Sequence, residues 1–144
     1  MPKMTYSQEG IALTENFEGC RLLAYRDQVG RLTIGFGHTI GVKEGDSCTP
    51  QQAEALLTAD IAWAVAFVNH IVKVILTQGE FDALVDFTFN LGSGNLQSST
   101  LLKLVDEGQF ETAAKEFEKW DLAGGKVVAG LLRRRQAEEQ EFQS

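Results

Sequence analysis

The 144-residue chain is predicted to be an α+β protein: a short helix, a small antiparallel sheet, then a mainly helical remainder. Three observations predict it. Apolar residues recur at helical spacing from about residue 50 onward. Residues 22–46 lose that spacing and carry glycines at 30, 35, 37, 41 and 45. Inside that interval, Arg31–His38 alternates strictly: Leu32, Ile34, Phe36 and His38 on one face, Arg31, Thr33, Gly35 and Gly37 on the other.

Each element has a local cause. Ser7 can cap a first helix over Gln8–Glu18, and Gly19 sits where a helix C-terminus favours glycine. A turn near Gln28–Gly30 joins the strands. Thr49-Pro50-Gln51-Gln52 combines a cap residue, proline at the first helical position and glutamine at the capping-box position. The stripe Ala53, Leu56, Leu57, Ile61, Ala64, Val68 carries that helix to about His70. Thr77-Gln78-Gly79-Glu80 opens another, ending at Gly92. Shorter helices are expected near Ser99–Glu107 and Gln109–Lys119, and a last one over about Leu131–Phe142. Ser99 and Thr100 are hydroxyls at a helix start, and capping suits one of them.

Composition narrows the function. With 44% hydrophobic and 23% charged residues the chain is globular, not disordered. The net charge is −7, with five Lys/Arg against eight Asp/Glu in residues 1–72 and eight against twelve in 73–144. Neither half supplies the basic face that nucleic acid requires, so no nucleic-acid partner is expected. Arg133–Arg135 is the one dense positive cluster, read as a solvated helix face. No apolar stretch approaches the ~20 residues of a bilayer span, so no stable membrane insertion is expected. Met1–Glu9 is polar and lacks a signal-peptide core, which predicts synthesis and retention in the cytoplasm. Cys20 and Cys48 have no CxxC neighbour and are expected as free, half-buried thiols. His38 and His70 lie 32 residues apart without clustered cysteines, so neither metal nor cofactor is expected.

Glu18, Asp27 and Thr33 form the candidate chemical set. A glutamate at a helix C-terminus sits at the negative end of the macrodipole, which favours its protonated, acid-competent form. Asp27 lies in the turn, where aspartate is also a common turn-former. Gly35 and Gly37 leave the Thr33 face bare, so an extended ligand can approach the backbone.

The run Phe17-Glu18-Gly19-Cys20-Arg21-Leu22-Leu23-Ala24-Tyr25-Arg26-Asp27, with Leu32-Thr33-Ile34-Gly35-Phe36-Gly37-His38-Thr39, resembles the active-site signature of phage-type lysozymes, glycoside hydrolase family 24. The likeness continues through Thr49–Glu54, Gln78–Leu84, Phe89-Asn90-Leu91-Gly92 and Gly130–Arg135, covering nearly the whole chain. It implies a lysozyme-like single domain over residues 1–144, with a sheet-containing lobe at about 16–55. A helical lobe would span about 1–15 and 70–144, and a long helix at about 50–70 would connect the two. The first helix would pack with the helical lobe, and a cleft between lobes would hold the three candidate residues.

The resemblance further implies an endolysin that hydrolyses the β-1,4 bond between N-acetylmuramic acid and N-acetylglucosamine in peptidoglycan, with inversion. Glu18 would be the acid, Asp27 the water-orienting carboxylate and Thr33 the water-holding hydroxyl. Tyr25, Gly35, Gly37, Phe89, Asn90 and Thr100 become candidate substrate contacts. Arg134, with Arg133 and Arg135 as alternatives, becomes the positive neighbour of Glu18. His38 and Asp60 fall on inward faces and must find partners; the resemblance favours a direct pair over separate backbone or water partners. Cys20 replaces a usually aliphatic residue, which implies a buried thiol. Host-cell lysis by a monomer is expected with the same likeness, and the missing export signal predicts release through a separate holin. The alternative is a catalytically silent lysozyme fold that binds cell wall or protein. A lytic transglycosylase, with a single acid, fits the set of three less well.

Overall fold

In the computed structural model, which describes residues 2–144, the first helix α1 spans Gln8–Glu18. Ser7 caps it: the Gly10 amide donates to its hydroxyl at 3.1 Å. Two strands follow, β1 (Arg21–Arg26) and β2 (Leu32–Gly35), paired antiparallel with Tyr25 opposite Thr33. The long helix α2 spans Pro50–Ile71. The Gln52 amide donates to the Thr49 hydroxyl (3.1 Å), and the Gln52 side chain accepts from the Thr49 amide (2.9 Å), completing the capping box. Ala53, Leu57, Ile61, Ala64 and Val68 form its buried stripe.

Next come α3 (Gln78–Leu91), α4 (Ser93–Gln97), α5 (Thr100–Asp106) and α6 (Phe110–Ala114). A 3-10 turn (Phe117–Trp120), a short hairpin of β3 (Leu122–Ala123) and β4 (Lys126–Val127), and α7 (Ala129–Phe142) complete the chain. Thr77 and Glu80 close a second capping box at α3, and Ser99, not Thr100, caps α5 through the Leu102 amide.

Tertiary contacts divide the chain into two units. The first comprises residues 1–13 and 64–144. Its core is Phe81, Leu84, Val85, Phe87, Leu96, Leu101, Val105 and Phe117, all buried, where α3 packs on α7. Phe87 meets Phe117 and Trp120 edge-on at 5.8 and 5.5 Å. The Ser7 amide and hydroxyl both donate to Asp82 of α3, which ties the start of α1 into this unit. The second unit, Thr14–Trp63, holds the end of α1, the β1–β2 sheet and the first part of α2.

Five expectations are corrected. Strand alternation stops at Gly35: Ile34 and His38 exchange both backbone bonds (2.9 Å each) across a tight turn built on Gly35 (φ 65) and Gly37 (φ 88). The face expected to be bare is therefore filled at Gly35, where a Cβ would meet the Ala53 Cβ of α2 at 3.3 Å. The helix expected over Gln109–Lys119 breaks after Ala114 into the 3-10 turn, because Ala113, Ala114 and Phe117 must all point inward. The arginine cluster is not a solvated face: Arg134 and Arg135 are 5% and 0% exposed and ion-paired. Cys20 is exposed rather than buried, while Cys48 is half-buried.

Candidate active site

Glu18 is the last residue of α1. The Gly19 amide closes the helix on the Glu15 carbonyl at 3.1 Å, and Gly19 itself (φ 69) turns the chain into β1. The glycine turn after β2 runs beside the carboxyl group. A Cβ placed on Gly37 would stand 3.7 Å from the Glu18 Oε1. The absence of a side chain at Gly37 keeps that approach open.

Asp27 is held in the β1–β2 turn, where the Asp27 amide bonds the Arg31 carbonyl and the Gly30 amide bonds the Asp27 carbonyl (2.9 Å each). Its Oδ1 accepts the amides of Val29 (3.0 Å) and Arg31 (2.8 Å), and its Oδ2 accepts the Arg31 Nε (3.0 Å). The Arg31 backbone amide, helped by the Arg31 guanidinium and the Val29 amide, holds this carboxyl below its ordinary value against mild desolvation. Asp27 is therefore a stable anion.

Thr33 is 3% exposed and lies opposite Tyr25 in the ladder. Its hydroxyl donates to the Arg31 carbonyl at 3.0 Å, so only its lone pairs remain to accept from a water. One residue, Arg31, thus orients both Asp27 and Thr33, the first through its amide and side chain, the second through its carbonyl. The sequence reading passed it over, although its position four residues after Asp27 and two before Thr33 was a usable signal. Tyr25 is half-buried under the Arg21 guanidinium, 4.4 Å from its ring centre.

His38 and Asp60 form the direct pair. The ring Nδ1 lies 2.9 Å from Asp60 Oδ2, and Nε2 lies 2.8 Å from the Ile40 carbonyl. A carbonyl can only accept, so Nε2 carries a proton, and a carboxylate facing Nδ1 suits a second. The pair is largely buried, with side chains 14% and 22% exposed. It anchors the loop after β2 to α2.

The remaining candidates lie in the first unit. Phe89 and Asn90 are half-buried near the end of α3, and Thr100 is exposed at the start of α5. Arg134 grips Asp86 with two parallel bonds, Nε at 2.9 Å and Nη2 at 2.8 Å. Arg135 Nη2 donates to Asn90 Oδ1 (2.8 Å) and to Glu138 Oε2 (2.9 Å). Because arginine has no acceptor, Asn90 must turn its oxygen toward Arg135, which leaves its NH2 edge as a donor. Burial and the neighbouring Asp86 push the Glu138 carboxyl well up, against the pull of the two arginines. Asp86 and Glu138 were not singled out in the sequence. Their spacing from Asn90 and Arg134, four residues in each case, is the signal that would have found them. Among the described residues no group of three or more His, Cys, Asp or Glu side chains could hold a metal ion.

The family model described as phage lysozyme matches residues 15–138. The endolysin of Acyrthosiphon pisum secondary endosymbiont phage 1 is 43% identical, with 98% of this chain and 99% of that protein aligned. The endolysin of Bacillus phage B103 is 44% identical over 94% of this chain, which spans 52% of that longer protein. Among solved structures, a mutant of P22 lysozyme superposes with a TM-score of 0.91 at 34% identity, covering 98% of this chain and 99% of that one.

Proposed function

This chain belongs to the phage lysozyme family and is a peptidoglycan-hydrolysing endolysin, and from that premise we propose that Glu18 is its general acid and that Asp27 and Thr33 handle the attacking water. The observation that carries the assignment is the set of donors around Asp27. A carboxylate that accepts two backbone amides and a guanidinium is a poor proton donor and stays ionised to orient a water. Glu18 then protonates the glycosidic oxygen between N-acetylmuramic acid and N-acetylglucosamine, which is a poor leaving group until it carries a proton.

As the C–O bond lengthens, positive charge builds at the anomeric carbon and ring oxygen. The Asp27 carboxylate accepts a proton from a water while the Thr33 hydroxyl, already donating to Arg31, accepts the second hydrogen of that water. The water attacks from the face opposite the leaving group, and the product is inverted. Tyr25, Gly37, Phe89, Asn90 and Thr100 are the proposed contacts of the glycan, with Asn90 offering its NH2 edge. Arg134 is the proposed positive neighbour of the acid. Gly35, packed on α2, contributes backbone only. The reading includes synthesis in a host cytoplasm, release by a separate holin and action as a monomer. No described helix is long and apolar enough to cross a membrane.

Product analysis on purified peptidoglycan tests the assignment. The unaltered chain should yield reducing-end muropeptides whose first-formed anomer is inverted. Glu18→Gln should lose roughly 10²–10⁴-fold in rate. Anhydro-muropeptides, or a Glu18→Gln variant as fast as the parent, would overturn it.

A further inference from the structure

The two cysteines, 28 positions apart in sequence, are brought to one corner of the second unit. Cys48 lies on a segment that pairs with β1: its amide donates to the Leu22 carbonyl (2.9 Å), the Ala24 amide donates to the Asp46 carbonyl (2.8 Å), and Leu23 faces Ser47 antiparallel. Leu22 and Cys48 are therefore opposite one another and share a face. Cys20 lies two residues before Leu22, just outside β1. Cys20 and Leu22 border one surface recess together with Phe36, Pro50 and Gln51. Cys20 and Cys48 are thus diagonal neighbours across a two-stranded ribbon.

Diagonal neighbours lie within about 7–8 Å of each other, and a disulfide needs Cβ atoms about 3.5–4.5 Å apart. The remaining approach falls on Cys20, which stands just outside β1 behind Gly19, whose φ of 69 is a backbone conformation natural to glycine. Both thiols are reduced in this structure, and Cys20 is exposed to solvent. Partial desolvation, the neighbouring Cys48 and Glu15 push the Cys20 thiol up. That keeps the thiolate population low and makes the pair slow to oxidise without a partner.

We propose that Cys20 and Cys48 form an intramolecular disulfide when the chain meets a disulfide oxidant such as oxidised glutathione. The Cys20 thiolate attacks one glutathione sulfur, forming a mixed disulfide and expelling a glutathione thiolate that takes up the proton released by Cys20. The Cys48 thiolate then attacks the Cys20 sulfur and expels the second glutathione. Two protein thiols lose two electrons and two protons, and one oxidised glutathione becomes two reduced ones. The closed loop spans Cys20–Cys48 and contains Asp27, Thr33 and His38, while Glu18 stays outside it. Closing it restricts the unfolded chain and ties β1 to the start of α2. The inference is independent of the catalytic assignment.

The full chain incubated with oxidised glutathione at pH 8 provides the test. The free-thiol count should fall to zero with a mass loss of two hydrogens and a crosslinked peptide containing Cys20 and Cys48. The melting midpoint should rise and fall back with dithiothreitol. Cys48→Ser should instead keep a glutathione adduct on Cys20. Glutathione on both cysteines without an internal link, two thiols left free, or a link only between chains would overturn the proposal.

Discussion

Replacing Asp86 by asparagine removes one charge and keeps the shape. Asp86 is fully buried, and both its oxygens are taken by Arg134, which is 5% exposed. Asparagine can still accept one of those bonds, but its NH2 group faces a guanidinium that only donates. A buried cation then loses its counter-charge, a change that costs on the order of 3–5 kcal/mol. With a urea slope near 2 kcal/mol/M, the unfolding midpoint should fall by about 1.5–2.5 M. A second readout follows from Glu138, whose carboxyl is raised by burial first and by Asp86 next. A carboxyl raised in the folded state contributes stability that is fully present below its unfolded value. That contribution is lost as pH rises through the folded value. The parent should therefore lose stability as pH climbs from about 4.3, the ordinary glutamate value. Asp86→Asn should show a shallower decline, because one of the upward influences on Glu138 is gone. Urea unfolding at several pH values between 4 and 9 measures both. A midpoint within 0.5 M of the parent (about 1 kcal/mol at this slope), or an unchanged pH slope, would refute the reasoning.

Three further outcomes follow from the second unit. Arg31→Met keeps the turn amide but removes the guanidinium from Asp27, so the acid limb of kcat/KM should move to higher pH. The shift should be modest, because the backbone amide is the larger influence and remains. Thr33→Val preserves packing at a buried position and removes the hydroxyl. It should lower kcat by about tenfold or more, in line with a water-orienting role, with little change in melting temperature. Asp60→Asn leaves the partly exposed His38 ring without its anion and should destabilise by about 1.5–3 kcal/mol, the range for hydrogen bonds to charged groups. Denaturant unfolding at pH 5.5 checks it, and a loss below 0.5 kcal/mol, the ordinary scatter of surface substitutions, would exclude the pair as a stabilising contact.

The helices whose ends carry side-chain caps were legible to the residue. Ser7, Thr49 and Thr77 each satisfy an amide that would otherwise have no partner in the first turn, and that need is local. Elements decided by distant packing were not legible. The 3-10 turn at Phe117–Trp120 exists because Phe117 must reach Phe87 and Phe142, partners about 30 and 25 residues away in the chain. Alternation at Leu32–His38 suggested a longer strand, but two glycines at positive φ turned the chain back on itself after four residues. The β3–β4 hairpin left only Gly124-Gly125 as a signal, a two-residue turn between strands of two residues each. In the β1–β2 turn, Asp27 and Thr33 were singled out through their motif, while Arg31 was not, since its hydrogen bonds to both come from turn geometry. Charge runs misled most. Arg134 and Arg135 read as solvent-facing because the sequence does not show Asp86 and Asn90 waiting one helix away.

The setting of Asp27 differs from that of Glu18 in the way the two proposed roles require. A turn of the Asp27–Arg31 type concentrates amide hydrogens on one carboxylate, and it does so with backbone groups that no substitution short of proline removes. Anion stability at Asp27 is therefore a property of the turn and survives changes in most of its side chains. Glu18 has a different setting: it ends a helix, next to a glycine turn whose missing Cβ leaves room beside its carboxyl group. One position is set electrostatically to hold negative charge, and the other adjoins a residue without a side chain. Since the β1–β2 ladder fixes Thr33 opposite Tyr25, and the Arg31 carbonyl orients the Thr33 hydroxyl, the proposed water site is set by the same turn that stabilises the anion. A loss of turn geometry would then cost the base and the water together. That coupling predicts that substitutions at Gly30, held at φ 86, should damage catalysis more than their distance from any reacting atom suggests.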